Sequence, residues 1–468
     1  RRKKGGGRGN IQLPSRTRQD ARISPQFTVL QQTLEARQVR LQAEATGVIP
    51  EEVIVLETVE PVDKFAQAVS KIQGLEWLGE IEEEDIPPDD DFFVKGKAGA
   101  RRDDKALRGR LFLILTNQQA LQQLLALWIA WKGGQKLDRG LAKWGNVFQR
   151  LRDVRPWGVR DRLIETGALD DWRERVDHQE EVIPCEVELW FRRDAQRRQT
   201  ARDRVVSLVQ GFQGEVVAES QIEEIGYHAL LLRMPIASVQ PLLAETGRDT
   251  ALVQCEQIQF FRAAGQMAGS VADDTRVADQ GHVPEVAHLG DPVVALFDGL
   301  PLQNHRRLVG RLVVDDPDGL EGEYPAADRR HGTAMASLIL HGDLDSCDPP
   351  LERRLYVRPI LGPDVHDWHS PRREAVSEAS LIVDLIHRAV RRLFEATEGE
   401  APVAPQVRVI NLSIGILDRL FDRSLSPLAR LLDWLAWKYG VLFVVSAGNH
   451  THPIELAVPR NQLATLDA

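Results

Sequence analysis

The sequence predicts an α/β protein: a doubly wound parallel sheet from residue 291 onward, preceded by one or more smaller α+β units. Two observations carry this. From Asp291 the apolar runs are continuous and strand-length (Val293–Phe297, Leu355–Ile360, Val407–Leu412, Val441–Val445), and helical stretches separate them. Strands covered on both faces by helices read this way. Before that point, strand-like runs alternate apolar and polar residues, with amphipathic helices between them. The 468 residues, 43% hydrophobic and 27% charged, have the composition of a multi-domain globular chain.

Residues 1–24 lack apolar periodicity and begin with five basic residues among glycines, Arg1–Arg8, so they read as a disordered basic tail. A block over 25–134 follows. It opens with a helix over Phe27–Ala45, stopped by Gly47 and Pro50. Then come a strand at Val53–Leu56, a helix over Val62–Ile72, a strand at Leu75–Ile81, an acidic loop over Glu80–Asp91, a strand at Leu111–Leu115 and a helix over Leu121–Trp131. Residues 135–180 read as a helical linker whose Trp144, Trp157 and Trp172 pack inward.

Residues 181–262 repeat the pattern more clearly. Strands at Cys185–Phe191, Val216–Ile222, Tyr227–Met234 and Val253–Phe261 enclose helices over Arg202–Phe212 and Ile236–Ala244. The order βαββαβ is the ferredoxin-like arrangement. The block over 25–134 reads as a degenerate copy of it. Residues 263–290 read as a linker, and 291–468 as the doubly wound domain, with helices opening at His331, spanning Ser377–Glu395, and spanning Pro427–Tyr439 behind the N-cap Ser426.

Several function classes are excluded or disfavoured. The net charge of −10 gives no drive toward nucleic acid. No apolar run approaches the ~18 residues of a membrane helix. Cys185, Cys255 and Cys347 fit neither a zinc signature nor a disulfide framework, which suits a reducing, cytoplasmic setting, and Cys185 and Cys255 are expected to be buried free thiols. No Gly-rich phosphate loop follows a strand. Asp315–Gly319 lacks the ligand spacing of a calcium loop and reads as a turn. No metal or cofactor is expected.

Chemistry concentrates where open α/β sheets place it, at strand ends and helix starts. Asp298 directly follows the buried run Val293–Phe297, and a carboxylate there can orient a histidine. His331 opens the helix His331-Gly332-Thr333-Ala334-Met335-Ala336-Ser337, whose small residues Gly332, Ala334 and Ala336 permit close approach to the sheet. The helix start disfavours the imidazolium, so a facing carboxylate is needed. Asn449 ends Val444-Val445-Ser446-Ala447-Gly448-Asn449, where an amide N–H can meet a developing oxyanion.

Together these segments resemble the subtilisin-like serine peptidases, the subtilases. The resemblance rests on Asp298 after its strand, His331–Ser337, Val441–Asn449 and Val409-Ile410-Asn411-Leu412-Ser413-Ile414-Gly415, and it covers about Asp291–Asn449. It implies Asp298 as orienting carboxylate, His331 as general base and then acid, Asn449 as oxyanion donor, and Ser413, Ile414 and Gly415 as the edge that binds extended substrate. It also implies that 181–262 is a propeptide-like unit or an accessory domain of the same fold.

Two departures stand out. Gly299 follows Asp298 directly, where the family has Ser or Thr and then Gly. The family's nucleophile motif Gly-Thr-Ser-x-Ala-x-Pro is absent. With Arg1 in place of an initial Met, the chain reads as a fragment that ends before its nucleophile. The expectation is a cytoplasmic serine endopeptidase, inactive as this chain, that acts on proteins or peptides and answers to a regulatory protein through its N-terminal half. The alternative is a catalytically dead subtilase-fold protein that binds peptides or scaffolds partners.

Overall fold

The computed structural model describes residues 11–43, 51–96, 99–264, 267–268, 289–344, 349–396, 399–415 and 425–446. The chain divides into two compact units, Arg1–Ala263 with Leu420–Pro427, and Ala264–Arg419 with Leu428–Ala468.

In the first unit the order is β1 (Ile11–Gln12), α1 (Arg16–Ala43), β2 (Glu51–Val59), α2 (Ala66–Val69), β3 (Glu76–Ile86), β4 (Phe93–Lys95), β5 (Arg101–Arg102), β6 (Leu107–Asn117), α3 (Gln118–Lys132), α4 (Ala142–Arg150) and β7 (Leu151–Pro156). The main sheet is antiparallel, ordered β3-β6-β2-β7. With α2 and α3 this is a complete βαββαβ unit. Its last strand lies inside the stretch read from sequence as a helical linker. Leu151 follows the last residue of α4 without a turn residue, which hides the change of period.

Two other expectations are corrected here. Residues 11–24 are not tail: they supply β1 and the first turns of α1. Ile23, Phe27, Leu30 and Leu34 of that helix are buried at helical spacing. Gln19, also buried, donates to the carbonyls of Phe148 (2.8 Å) and Leu151 (2.6 Å) and ties α1 to the end of α4. A single apolar residue per turn and Pro25 inside the helix mask its start. Likewise, Glu80–Asp85 is not loop but the second half of β3. Arg110 on the neighbouring β6 meets Glu82 at 2.5 Å and Glu80 at 3.7 Å, so the acidic run is matched across the strands.

The second half of this unit continues with α5 (Val159–Leu163), α6 (Ala168–Asp177), β8 (Val182–Leu189), α7 (Ala195–Gly211), β9 (Glu215–Ile222), β10 (Tyr227–Pro235), α8 (Ile236–Val239) and β11 (Ile258–Ala263). The antiparallel order β11-β8-β10-β9 is again ferredoxin-like. The two sheets are joined by one apolar face, where Val53, Val55, Leu113 and Leu115 pack with Trp157, Trp190 and Phe260. Arg192, buried, reaches Glu51 (2.9 Å) and Glu76 (3.1 Å) across the same seam. Cys185 on β8 is a buried free thiol, and so is Cys255, which precedes β11 rather than lying on it. Burial pushes both thiols up, Cys255 to about 12, which makes them poor nucleophiles.

The second unit contains β12 (Met267–Ala268), β13 (Val294–Gly299), β14 (Leu312–Val314), α9 (His331–His341), β15 (Leu355–Pro363), β16 (Glu374–Ala375), α10 (Ile382–Phe394), β17 (Val409–Leu412), β18 (Ile414–Gly415), α11 (Pro427–Tyr439) and β19 (Leu442–Val445). Five strands are parallel in the order β14-β15-β13-β17-β19. Successive connections leave β13 toward opposite sides, so β13 lies at the switch of the winding, where the carboxyl ends of strands open a crevice. Leu296, Leu308, Ala336, Leu340, Leu355 and Val357 form the core between α9 and the sheet. On α10, Ile386, Ala389, Val390 and Leu393 are buried at helical spacing. No helix among the described residues is long and apolar enough to cross a membrane.

Candidate active site

The site begins with Asp298, the penultimate residue of β13 and fully buried. Its Oδ1 accepts a hydrogen bond from His331 Nδ1 at 2.7 Å and from the Gly299 N–H at 2.6 Å. Its Oδ2 is buried and has no hydrogen-bond partner among the described residues. His331 is the first residue of α9, with 13% of its side chain exposed. The bond to Asp298 fixes the Nδ1–H tautomer and leaves Nε2 directed away from the carboxylate.

Two glycines make this approach possible. A Cβ on Gly332 would lie 2.1 Å from the Gly299 carbonyl oxygen, so the start of α9 touches the strand end directly. A Cβ on Gly299 would lie 2.0 Å from a carboxylate oxygen of Glu374. The departure at Gly299 thus has a local cause: the space for a side chain there is filled from β16. Thr333 completes the junction. Its Oγ accepts the Leu302 N–H at 2.9 Å and donates to the Arg329 carbonyl. Gly332, Ala336 and Leu340 face inward, whereas Ala334 faces outward, contrary to the role expected for it.

Charge is dense around this pair. Glu374 accepts the backbone N–H of His331 at 2.7 Å on one oxygen and the Tyr324 hydroxyl on the other. Burial pushes the Asp298 carboxyl above its usual range, against the pull of His331. Burial also opposes the imidazolium, but the bond to Asp298 and the charges of Asp298 and Glu374 outweigh it, and His331 is raised. The carboxylate is held in an apolar strand end by the cation it stabilises.

Ser413, Ile414 and Gly415, expected from the sequence to bind substrate, do not continue β17 as one strand. β17 stops at Leu412, and the Ser413 hydroxyl turns back to donate to Asn411 Oδ1 at 2.7 Å. Ile414 and Gly415 then pair antiparallel with β12, Ala268 opposite Ile414 and Met267 opposite Gly415. Met267 also pairs with Ala375 on β16. The chain's own strand therefore lies between the β18 and β16 edges. Ser446 after β19 donates its N–H to Leu412 O (3.1 Å) and its hydroxyl to Ile414 O (3.1 Å). Asn449 lies outside the described residues.

Sequence reasoning missed Glu374, Tyr324 and the strand at Met267–Ala268. No motif marks them. Glu374 lies in a two-residue strand after a long loop, and only proximity to His331 reveals it. The Asp315–Gly319 segment is a turn: Asp316 accepts the N–H groups of Leu320 and Glu321, while Asp315 and Asp318 are taken by Arg392 and Arg358. No group of acidic, histidine or cysteine side chains fit for a metal occurs among the described residues.

A buried carboxylate thus orients a largely buried histidine at the switch of a doubly wound sheet. Residues 293–467 match the sequence model of the Subtilase family, consistent with a subtilisin-like peptidase domain in that segment. No curated protein matches the chain.

Proposed function

We propose that the protein is a serine-type endopeptidase that hydrolyses peptide bonds in proteins or peptides in the cytoplasm. The observation that carries this is the 2.7 Å bond between Asp298 and His331 Nδ1, which leaves Nε2 without a partner among the described residues. In this reading Nε2 takes the proton of a serine hydroxyl as its oxygen attacks the scissile carbonyl. The same proton passes to the leaving amine, and water then resolves the acyl-enzyme by the reverse sequence. The motifs that carry the resemblance include no nucleophilic serine, so this reading assigns the serine no residue number. Asn449 donates to the oxyanion, and Ser413, Ile414 and Gly415 hold the substrate as an added strand.

The position of Met267–Ala268 supports a propeptide-like role for residues 181–262. The strand follows that ferredoxin-like unit within a few residues and pairs with the edge assigned to substrate. The same pairing is what favours the second reading, a subtilase-fold protein that binds peptides without cutting them. The remaining N-terminal half offers a surface for a regulatory protein partner. Neither nucleic acid nor membrane is a partner in this reading.

The test is proteolysis of an unfolded protein such as reduced, alkylated casein by the protein expressed from its whole coding sequence. The endopeptidase reading expects cleavage that is lost in His331→Ala. Peptide binding without cleavage would favour the second reading, and cleavage that persists in His331→Ala would remove His331 from the mechanism.

A further inference from the structure

We propose that Glu374 is a positioning residue for the Asp298–His331 pair: from β16 it caps the helix that begins at His331 and places a second buried carboxylate beside that histidine. The inference rests on the peptidase reading for its meaning, but its geometry stands on its own.

Four observations converge. First, α9 begins without a local cap: the Arg330 side chain makes no capping bond to the helix, and no acidic residue occupies the first turn. The opening N–H groups of a helix need acceptors, and Glu374 Oε2 accepts that of His331 at 2.7 Å from a different strand. An anion there also opposes the helix dipole, which otherwise disfavours a cation at residue 331. Second, Glu374 is almost fully buried, and its other oxygen accepts the Tyr324 hydroxyl, so both carboxylate oxygens are fixed. Third, Glu374 fills the volume that a side chain at 299 would need. Glycine at 299 and glutamate at 374 are two halves of one packing solution. Fourth, Asp298 keeps one buried oxygen without a partner, so the carboxylate that orients the imidazole is incompletely satisfied and a second acid contributes beside it.

The other charged groups nearby are accounted for. Tyr324 is pushed far up by burial and by Glu374, so it stays a neutral donor. Asp328 is held by Arg372 at 2.8 Å. Arg329 donates to the Tyr324 carbonyl at 2.8 Å and lies over its ring. Arg373, beside Glu374 in sequence, is held by Asp367 at 3.3 Å and Asp364 at 3.5 Å. Among the described residues, Asp298 and Glu374 are the groups that bring negative charge to bear on His331. Burial raises Glu374 itself, so on acidification its charge fades earlier than that of an exposed glutamate.

The test is a pH titration of the His331 imidazole by NMR, with labelled histidine, in the wild type and in Glu374→Gln. Glutamine can still accept the His331 amide through its carbonyl and offer its own amide to the Tyr324 oxygen, so the cap survives and the charge does not. The expected result is a roughly tenfold loss of proton affinity at His331, with the backbone amide spectrum otherwise preserved. An unchanged midpoint in a folded Glu374→Gln protein would overturn the proposal. Should that variant not fold, the wild type decides: the carboxyl carbon of Glu374, in glutamate-labelled protein, is expected to show a second step at the His331 midpoint. A carbon that does not sense that titration also overturns it. These readouts need no peptidase activity, so a failure of the peptidase reading leaves them interpretable. In an active protein, Glu374→Gln additionally moves the acid limb of kcat/KM to lower pH, which a merely structural glutamate would not do.

Discussion

Both units bury carboxylates, but they neutralise them differently. In the ferredoxin-like half, Glu188 on β8 is fully buried against Arg262 at 2.5 Å, and Arg192 bridges Glu51 and Glu76. In these pairs the partner is a guanidinium, which does not titrate in the accessible pH range. In the peptidase-like half, the buried Asp298 faces only an imidazole, and one of its oxygens lacks a partner among the described residues. The first arrangement holds a fold together at any ordinary pH. The second holds a proton that can be moved.

Variants can break this contrast, from large effects to small. Arg262→Leu strips the guanidinium from Glu188 and is expected to cost about 3–5 kcal/mol, the usual result of breaking a buried pair. Denaturant unfolding would show it, and hydrogen exchange would place the loss in the first unit. A loss below about 1 kcal/mol would mean that the pair is not structural.

Gly332→Ala sets a methyl group against the Gly299 carbonyl. It is expected to destabilise the second unit by about 1–3 kcal/mol through overpacking, while amides of the first unit keep their protection. Equal loss in both units would argue against a local clash.

The pH dependence sharpens the contrast further. His331 is raised in the folded protein, so its contribution is complete below the ordinary histidine value and is lost as pH rises through the raised one. Asp298 is raised by burial and acts in the same direction. Stability of the second unit should therefore fall on going from mildly acid to alkaline pH, and Asp298→Asn should flatten that slope. The arginine pairs of the first unit predict no such slope, and its buried His228, lowered by burial, predicts a slope of the opposite sign, which exchange rates measured across pH 5–9 would check. At the small end, Arg102→Ala removes an exposed pair with Asp104 and is expected to leave the unfolding midpoint unchanged.

What could be read from sequence follows from how local each signal is. The Asp298 and His331 motifs, the order of the second ferredoxin-like repeat and the long helices α10 and α11 are visible because a period or short motif encodes each. The first repeat was half legible. Its α2 spans four residues, its second strand carries acidic side chains that resemble a loop, and its last strand follows a helix without punctuation. Cross-strand pairing with Arg110 and the shared Trp157–Trp190–Phe260 face decide those elements, and both are tertiary. Glu374 and Met267–Ala268 were invisible for the same reason. Their roles arise from contacts with residues more than 40 positions away, at His331 and Gly415.

The central claim is that Asp298 and His331 activate a serine. Its most direct test is labelling of the protein from its whole coding sequence with a fluorophosphonate, followed by mass spectrometry of the labelled peptide. A label on one serine that disappears in His331→Ala is the predicted result. No labelled serine in a folded protein, or a label that survives His331→Ala, would contradict the account.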